Sequence, residues 1–130
     1  MNNIYDRNKK ILIIDDEEDN LELEKARLEA SGYKIIALES GDSAQTVATA
    51  EKPDLVLLDV MMPKKDGYKI CQELKACAST RDIPVIVFTA DYQGEHAVKR
   101  KAKEAGADDY ILKPFDAKSL LAKIKSLIKQ

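Results

Sequence analysis

Ile11-Leu12-Ile13-Ile14-Asp15-Asp16-Glu17-Glu18-Asp19 (ILIIDDEED, residues 11–19) runs four apolar residues straight into five acids. The apolar part is short, unbroken and rich in β-branched side chains. That is the pattern of a strand covered on both faces of a parallel sheet, not of an alternating strand with one wet face. Like charges at the mouth of such a core repel one another, so this stretch sets two questions: what fold buries the strand, and what balances the acids.

Working outward, four further apolar runs repeat the first: Tyr33–Leu38 (interrupted by Lys34), Leu55–Leu58, Val85–Phe88 and Tyr110–Leu112. Segments of helical periodicity separate them. Asp19–Ala30 carries Leu21, Leu23, Ala26, Leu28 and Ala30 and is closed by Gly32; Asp42–Glu51 carries Ala44, Val47 and Ala48 and stops before Pro53. Lys65–Ala78 has Ile70, Cys71, Leu74, Cys77 and Ala78, whereas Glu95–Ala105 has only Val98, Ala102 and Ala105. Ala117–Lys129 closes the series with Leu120, Leu121, Ile124, Leu127 and Ile128. Five β-α units in strict alternation predict an α/β fold, a parallel sheet with helices on both faces reached by right-handed crossovers. In such sheets ligands bind beyond the carboxyl ends of the strands.

The 130 residues suit one compact domain, with 45% hydrophobic and 34% charged residues. No apolar run approaches the roughly 18 residues of a membrane span. Met1–Asp6 has no apolar signal-peptide core, so the expectation is a cytoplasmic protein. The net charge of −2 argues against a nucleic-acid binder and conceals an asymmetry: residues 1–65 hold 9 basic and 14 acidic residues, residues 66–130 hold 12 and 9. The first half is therefore where an acidic site is expected. Cys71 and Cys77 are read as small buried hydrophobes on different faces of one helix, with no spacing that suggests zinc or a bridge.

The residues that follow the strands carry the chemistry. Asp15 and Asp16 follow the first, Asp59 the third, Thr89 the fourth and Lys113-Pro114 the fifth; Glu39 and Ser40 after the second receive no role. Singly each has a bland reading: a strand-end Asp as a cap or turn residue, Lys-Pro as a turn, and Glu17, Glu18 and Asp19 as the acidic start of a helix. Their conjunction on one sheet edge is what selects a site. Three carboxylates within about 5 Å repel by roughly 3 kcal/mol per pair at an effective dielectric near 20. A raised pKa on one of them relieves this. A hard divalent cation does so more economically, and Mg2+ uses one or two carboxylates while keeping waters. Asp59 then suits attack on a phosphoryl group to give an aspartyl phosphate, with Lys113 offsetting charge and the Thr89 hydroxyl binding the new group.

On these motifs (ILIIDDEED, PDLVLLDVMMPKKDG, IPVIVFTA and GADDYILKPF) the chain resembles a response-regulator receiver domain of two-component signalling, from Lys9 to Lys129. The resemblance implies a flavodoxin-like doubly wound five-stranded sheet, (βα)5, in strand order 2-1-3-4-5. It implies residues 1–8 as an N-terminal extension and 9–130 as the receiver. Asp59 looks like the phospho-accepting aspartate; Asp15, Asp16, Asp59 and the Met61 backbone carbonyl look like the Mg2+ ligands, with Mn2+ as a substitute. Thr89, the Ala90 backbone NH and Lys113 correspond to phosphoryl-binding positions, Tyr110 to the switch aromatic, and Lys113-Pro114 to the family's cis bond. Met61 and Asp91 fall at positions that tune phosphoryl lifetime. Pro63 suits a helix start and Gly67 a close backbone approach.

The implied partners are a sensor histidine kinase or a histidine phosphotransfer protein, and a target docking on the fourth helix, fifth strand and fifth helix. No direct nucleic-acid or membrane binding is expected, and the protein is expected to be a monomer or a weak phosphorylation-dependent dimer. Lys99, Arg100, Lys101 and Lys103 read as a solvated face or as a dock for an acidic partner, and His96 as exposed helix surface. Apart from self-phosphorylation and autodephosphorylation, no enzyme activity is expected. The competing readings are an aspartate-nucleophile phosphatase, disfavoured because Met61 stands two residues after Asp59 where those enzymes carry a second acid, and a pseudo-receiver that only binds partners. No GxGxxG or GxxxxGK[ST] follows the first strand. A stand-alone receiver and one excised from a larger response regulator or hybrid kinase both fit the sequence.

Overall fold

The computed structural model describes residues 8–62, 65–90 and 93–128. Residues 1–7, Pro63, Asp91 and Lys129 lie outside the described residues. The chain alternates as expected: β1 (Lys10–Ile14), α1 (Glu18–Ala30), β2 (Lys34–Leu38), α2 (Ala44–Glu51), β3 (Leu55–Asp59), α3 (Gly67–Ala76), β4 (Val85–Thr89), α4 (Glu95–Glu104), β5 (Asp109–Leu112) and α5 (Ala117–Leu127). The five strands form one parallel sheet in the order β2-β1-β3-β4-β5.

Alternation along each strand divides the core in two. Leu12, Ile14, Val56, Leu58, Val85 and Val87 face Ala44 and Ala48 of α2, Ile70, Cys71 and Leu74 of α3, and Ala102 of α4. Ile11, Ile13, Leu55, Leu57, Ile86, Phe88 and Ile111 face Leu21 and Leu28 of α1 and Leu120 and Ile124 of α5. Strands β1, β3 and β4 are buried on both faces, as continuous apolar runs require, but β2 is an edge strand and only half-buried. Side-chain ties hold the strand starts: Asp54 Oδ2 accepts from Lys10 N (2.8 Å) and Asp108 Oδ2 from Val85 N (2.8 Å).

Two helices differ from expectation. The third begins at Gly67, because the Asp66 side chain caps it by accepting from Tyr68 N (2.9 Å). It ends at Ala76, where the Thr80 hydroxyl donates to Leu74 O (2.6 Å) and Cys77 turns extended. Cys71 is buried as expected; Cys77 lies outside the helix, half-buried, with Sγ 3.2 Å from Ser79 Oγ. On α1 the inward stripe is Leu21, Glu24 and Leu28, while Leu23 is 51% exposed and Ala26 and Ala30 also face solvent. The helix closes on Gly32 at φ 101, a left-handed position that favours glycine. The start of α3 packs against the backbone that follows Asp59, and this also requires a glycine: a Cβ on Gly67 would run into Val60 Cα and Asp59 O.

Candidate functional site

Strand register alone converges the site residues. Ile14 pairs with Leu58, so Asp15 and Asp59 stand one step beyond the same pair on neighbouring strands. Asp59 pairs with Phe88, which places Thr89 one step further along β4. Thr89 pairs with Leu112, and Lys113 follows, its N–H donating to Thr89 O (2.8 Å). The Lys113-Pro114 bond is cis, as the resemblance implied.

The side chains meet above the edge. Carboxylate oxygens of Asp15, Asp16 and Asp59 all lie within 4.8 Å of one another. Asp15 is fully buried and Asp59 is 3% exposed, whereas Asp16 is half-buried. Asp15 Oδ1 accepts from Glu17 N (3.0 Å) and Asp59 Oδ1 from Met61 N (2.9 Å), which fixes both carboxylates by their own loops. Lys113 Nζ lies 3.4 Å from Asp59 Oδ2 and 3.6 Å from Asp15 Oδ2. The ammonium also sits 4.6 Å above the Phe88 ring, itself braced edge-on by Phe115. Thr89 is fully buried at this edge, and its hydroxyl has no partner among the described residues.

The electrostatics follow. Each carboxylate pair costs at least about 3 kcal/mol at an effective dielectric of 20, and each Lys113 contact returns about 5 kcal/mol. Three carboxylates against one ammonium leave two negative charges. Burial raises the Asp59 pKa above its ordinary value, against the opposing pull of the Met61 N–H and Lys113. Burial alone would lower Lys113, but the Asp59 and Asp15 charges outweigh it and hold the lysine above its usual range.

A fourth carboxyl, absent from the sequence expectation, belongs to the cluster. Glu24 of α1 is 7% exposed and lies in the field of Asp15, Asp59 and Lys113. Burial first, then the Asp15 charge, push it up to about 8, so at neutral pH it keeps its proton. Its Oε1 and Asp15 Oδ2 are both buried without a hydrogen-bond partner among the described residues. A leucine there would gain about 2 kcal/mol from burial, whereas a poorly satisfied buried carboxyl costs about 1–3 kcal/mol, so the glutamate is expensive for the fold. The stripe spacing of Leu21 and Leu28 was the available signal: position 24 falls between them on the same face.

Outside the cluster, Tyr110 is half-buried at the surface of β5. Its hydroxyl donates to Glu95 Oε1 (2.9 Å), and Lys123 Nζ lies 5.6 Å over its ring while pairing with Asp109 (3.0 Å). Ala90 is exposed beside Thr89, Met61 is exposed, and His96 is exposed on α4 as expected. Lys99, Arg100 and Lys103 face solvent; Lys101 bonds Gln93 and lies over the Tyr68 ring. No helix is long and apolar enough to cross a membrane among the described residues.

Comparison with known proteins gives one answer. A sequence model of the response regulator receiver domain matches residues 11–125. The chain is 45% identical over 122 residues to the "Probable transcriptional regulator ycf27" of Cyanophora paradoxa, covering 94% of this chain and 49% of that protein. It is 40% identical over 121 residues to the DNA-binding dual master transcriptional regulator RpaA of Synechocystis, covering 93% and 49% respectively. It spans about half the length of these relatives. Among solved structures, the BeF3-activated N-terminal receiver domain of Klebsiella pneumoniae RstA superposes with a TM-score of 0.84 at 33% identity, over 94% of this chain and 100% of that one.

Proposed function

Because the chain belongs to the response regulator receiver domain family, a signalling family of two-component systems rather than a class of conventional enzymes, we propose that it is switched by a phosphoryl group carried on Asp59. The family binds Mg2+ in its acidic pocket. The donor set here fits such an ion: it is all oxygen, carries two uncompensated charges, and includes a buried Asp15 oxygen with no hydrogen-bond partner among the described residues. Asp15, Asp16, Asp59 and the Met61 carbonyl would hold it, and Mn2+ could substitute. When bound, the ion supplies charge stabilisation for the transferring phosphoryl oxygens.

The chain's own residues do the rest. An Asp59 carboxylate oxygen attacks the phosphorus of a phosphohistidine in a sensor kinase or phosphotransfer protein; a P–O bond forms, the P–N bond breaks, and the leaving imidazole nitrogen takes a proton. Lys113 shifts from pairing two carboxylates to pairing the phosphoryl oxygens. The Thr89 hydroxyl, buried and without a partner among the described residues, and the Ala90 N–H bind the new group. Movement of Thr89 frees room for Tyr110, which leaves Glu95 and reshapes the α4-β5-α5 face for a target protein. Met61 and Asp91 set how long the phosphoryl group survives. The domain, residues 9–130, acts as a monomer or weak phosphorylation-dependent dimer and itself contacts no nucleic acid.

The observation that carries this reading is the gathering of three carboxylates and Lys113 at one sheet edge around the nearly buried Asp59. Incubation with acetyl phosphate and Mg2+ should add one phosphoryl group by intact mass. Uptake that survives EDTA or Asp59→Ala sinks the proposal.

A further inference from the structure

We infer that Phe88 is a positioning residue for Lys113: its ring is a seat that keeps the ammonium aimed at the acidic cluster, first toward the bare carboxylates and then toward a phosphoryl group on Asp59. The inference rests on the receiver reading and deepens it at the same site.

Register brings the ring there. Phe88 pairs with Asp59 on one side and Ile111 on the other, so Asp59 and Phe88 point to the same face of the sheet, the one that α1 and α5 cover. Lys113 stands two positions beyond Ile111, and its Nζ stops 4.6 Å from the centre of the Phe88 ring, 3.4 Å from Asp59 Oδ2 and 3.6 Å from Asp15 Oδ2. The ring is fixed: Phe88 is fully buried, and Phe115 meets it edge-on with centroids 6.2 Å apart and planes at 88°. β4 reads Val-Ile-Val-Phe-Thr, aromatic only beside Asp59, and the two phenylalanines of the chain are the two members of this pair. A lysine stem is long and flexible, so carboxylates alone would draw the ammonium to whichever acid lies nearest. An aromatic face attracts the ammonium through its quadrupole and leaves its N–H donors to the oxygens. The ammonium can then exchange a carboxylate for a phosphoryl oxygen without leaving the ring. A leucine would fill most of the same space and offer the charge nothing.

The test is a double-mutant cycle on the rate of phosphoryl uptake from acetyl phosphate with Mg2+, over the wild type, Phe88→Leu, Lys113→Met and the double variant. Phe88→Leu should slow uptake by about tenfold in the wild-type background. In the Lys113→Met background it should change the rate by less than about twofold, because the group it seats is gone. A residue that acts by packing alone would slow both backgrounds by the same factor, and that result overturns the inference, as does Phe88→Leu reacting at the wild-type rate. A second measurement needs no substitution at Phe88 and so carries no risk of misfolding there. The Lys113 ε-methylene protons, assigned by their absence from Lys113→Met, should resonate upfield of those of exposed lysines through the Phe88 ring current, both in the free protein and with beryllofluoride and Mg2+. Unshifted protons in either state also overturn the inference. A wild-type protein that takes up no phosphoryl group overturns the receiver reading instead, and the ring-current shift of the free protein then judges the seat on its own.

Discussion

Lys113 Nζ stands 3.4 Å from Asp59 Oδ2, over the face of Phe88, so the resting site carries its own counter-ion. Lys113→Met removes that ammonium from a nearly buried pair of carboxylates. Without divalent ions the variant should be less stable than wild type by about 2 kcal/mol or more in denaturant unfolding. Mg2+ should stabilise it more than it stabilises wild type, since no ammonium competes for Asp15 and Asp59. Phosphoryl uptake from acetyl phosphate should nonetheless slow by about 100-fold.

The buried carboxyls predict an inverted pH dependence. Glu24 is pushed up from an ordinary 4.5 to about 8 by burial and by Asp15, and Asp59 is also raised. The folded state therefore holds more protons than the unfolded chain between these values, and stability falls as pH rises through that window. In EDTA the protein should lose a few kcal/mol between about pH 5 and pH 8. Asp15, Asp59 and Lys113 face Glu24 and shape the curve, but Glu24→Gln should flatten most of it. A denaturation midpoint that rises from pH 5 to pH 8 in EDTA would contradict this.

Gly67 lies against the backbone of Asp59 and Val60. Backbone cannot yield as a flexible side chain can, so Gly67→Ala should cost about 1–3 kcal/mol of stability. Because the strain falls on the peptide that carries Asp59, Mg2+ affinity should drop as well. Unchanged melting would mean that the β3–α3 turn opens without cost.

Tyr110 is held outward by Glu95, and that hydrogen bond is the first cause of its raised pKa. Ultraviolet titration, with Tyr110→Phe as the blank, should show Tyr110 shifting down in Glu95→Ala. Beryllofluoride with Mg2+ should break the bond in the wild type and abolish the difference that Glu95→Ala makes. A difference that persists after beryllofluoride argues against movement of Tyr110.

Much of this was legible in the sequence because parallel α/β sheets put their chemistry at strand ends. Continuous apolar runs located β1, β3 and β4, and the polar residue after each run is a site residue. Edge strand β2 looked equally apolar, and only its place in the sheet leaves it half-buried. Helix 3 was read too long because its ends are set by side-chain hydrogen bonds, from Asp66 and Thr80, which periodicity does not register. Glu24 escaped because a charged residue breaks an apolar stripe in any pattern count, although it lies only nine positions after Asp15 in the chain. The Glu95–Tyr110 contact joins α4 to β5 across 15 residues and left no local trace.

The central claim is that Asp59, and no other carboxylate of the cluster, carries the phosphoryl group. Borohydride reduction of protein treated with acetyl phosphate and Mg2+ converts an aspartyl phosphate to homoserine, and peptide sequencing then reads its position. The account predicts homoserine at position 59 alone. Homoserine at Asp15 or Asp16, or a phosphorylated protein with Asp59 unmodified, would contradict it.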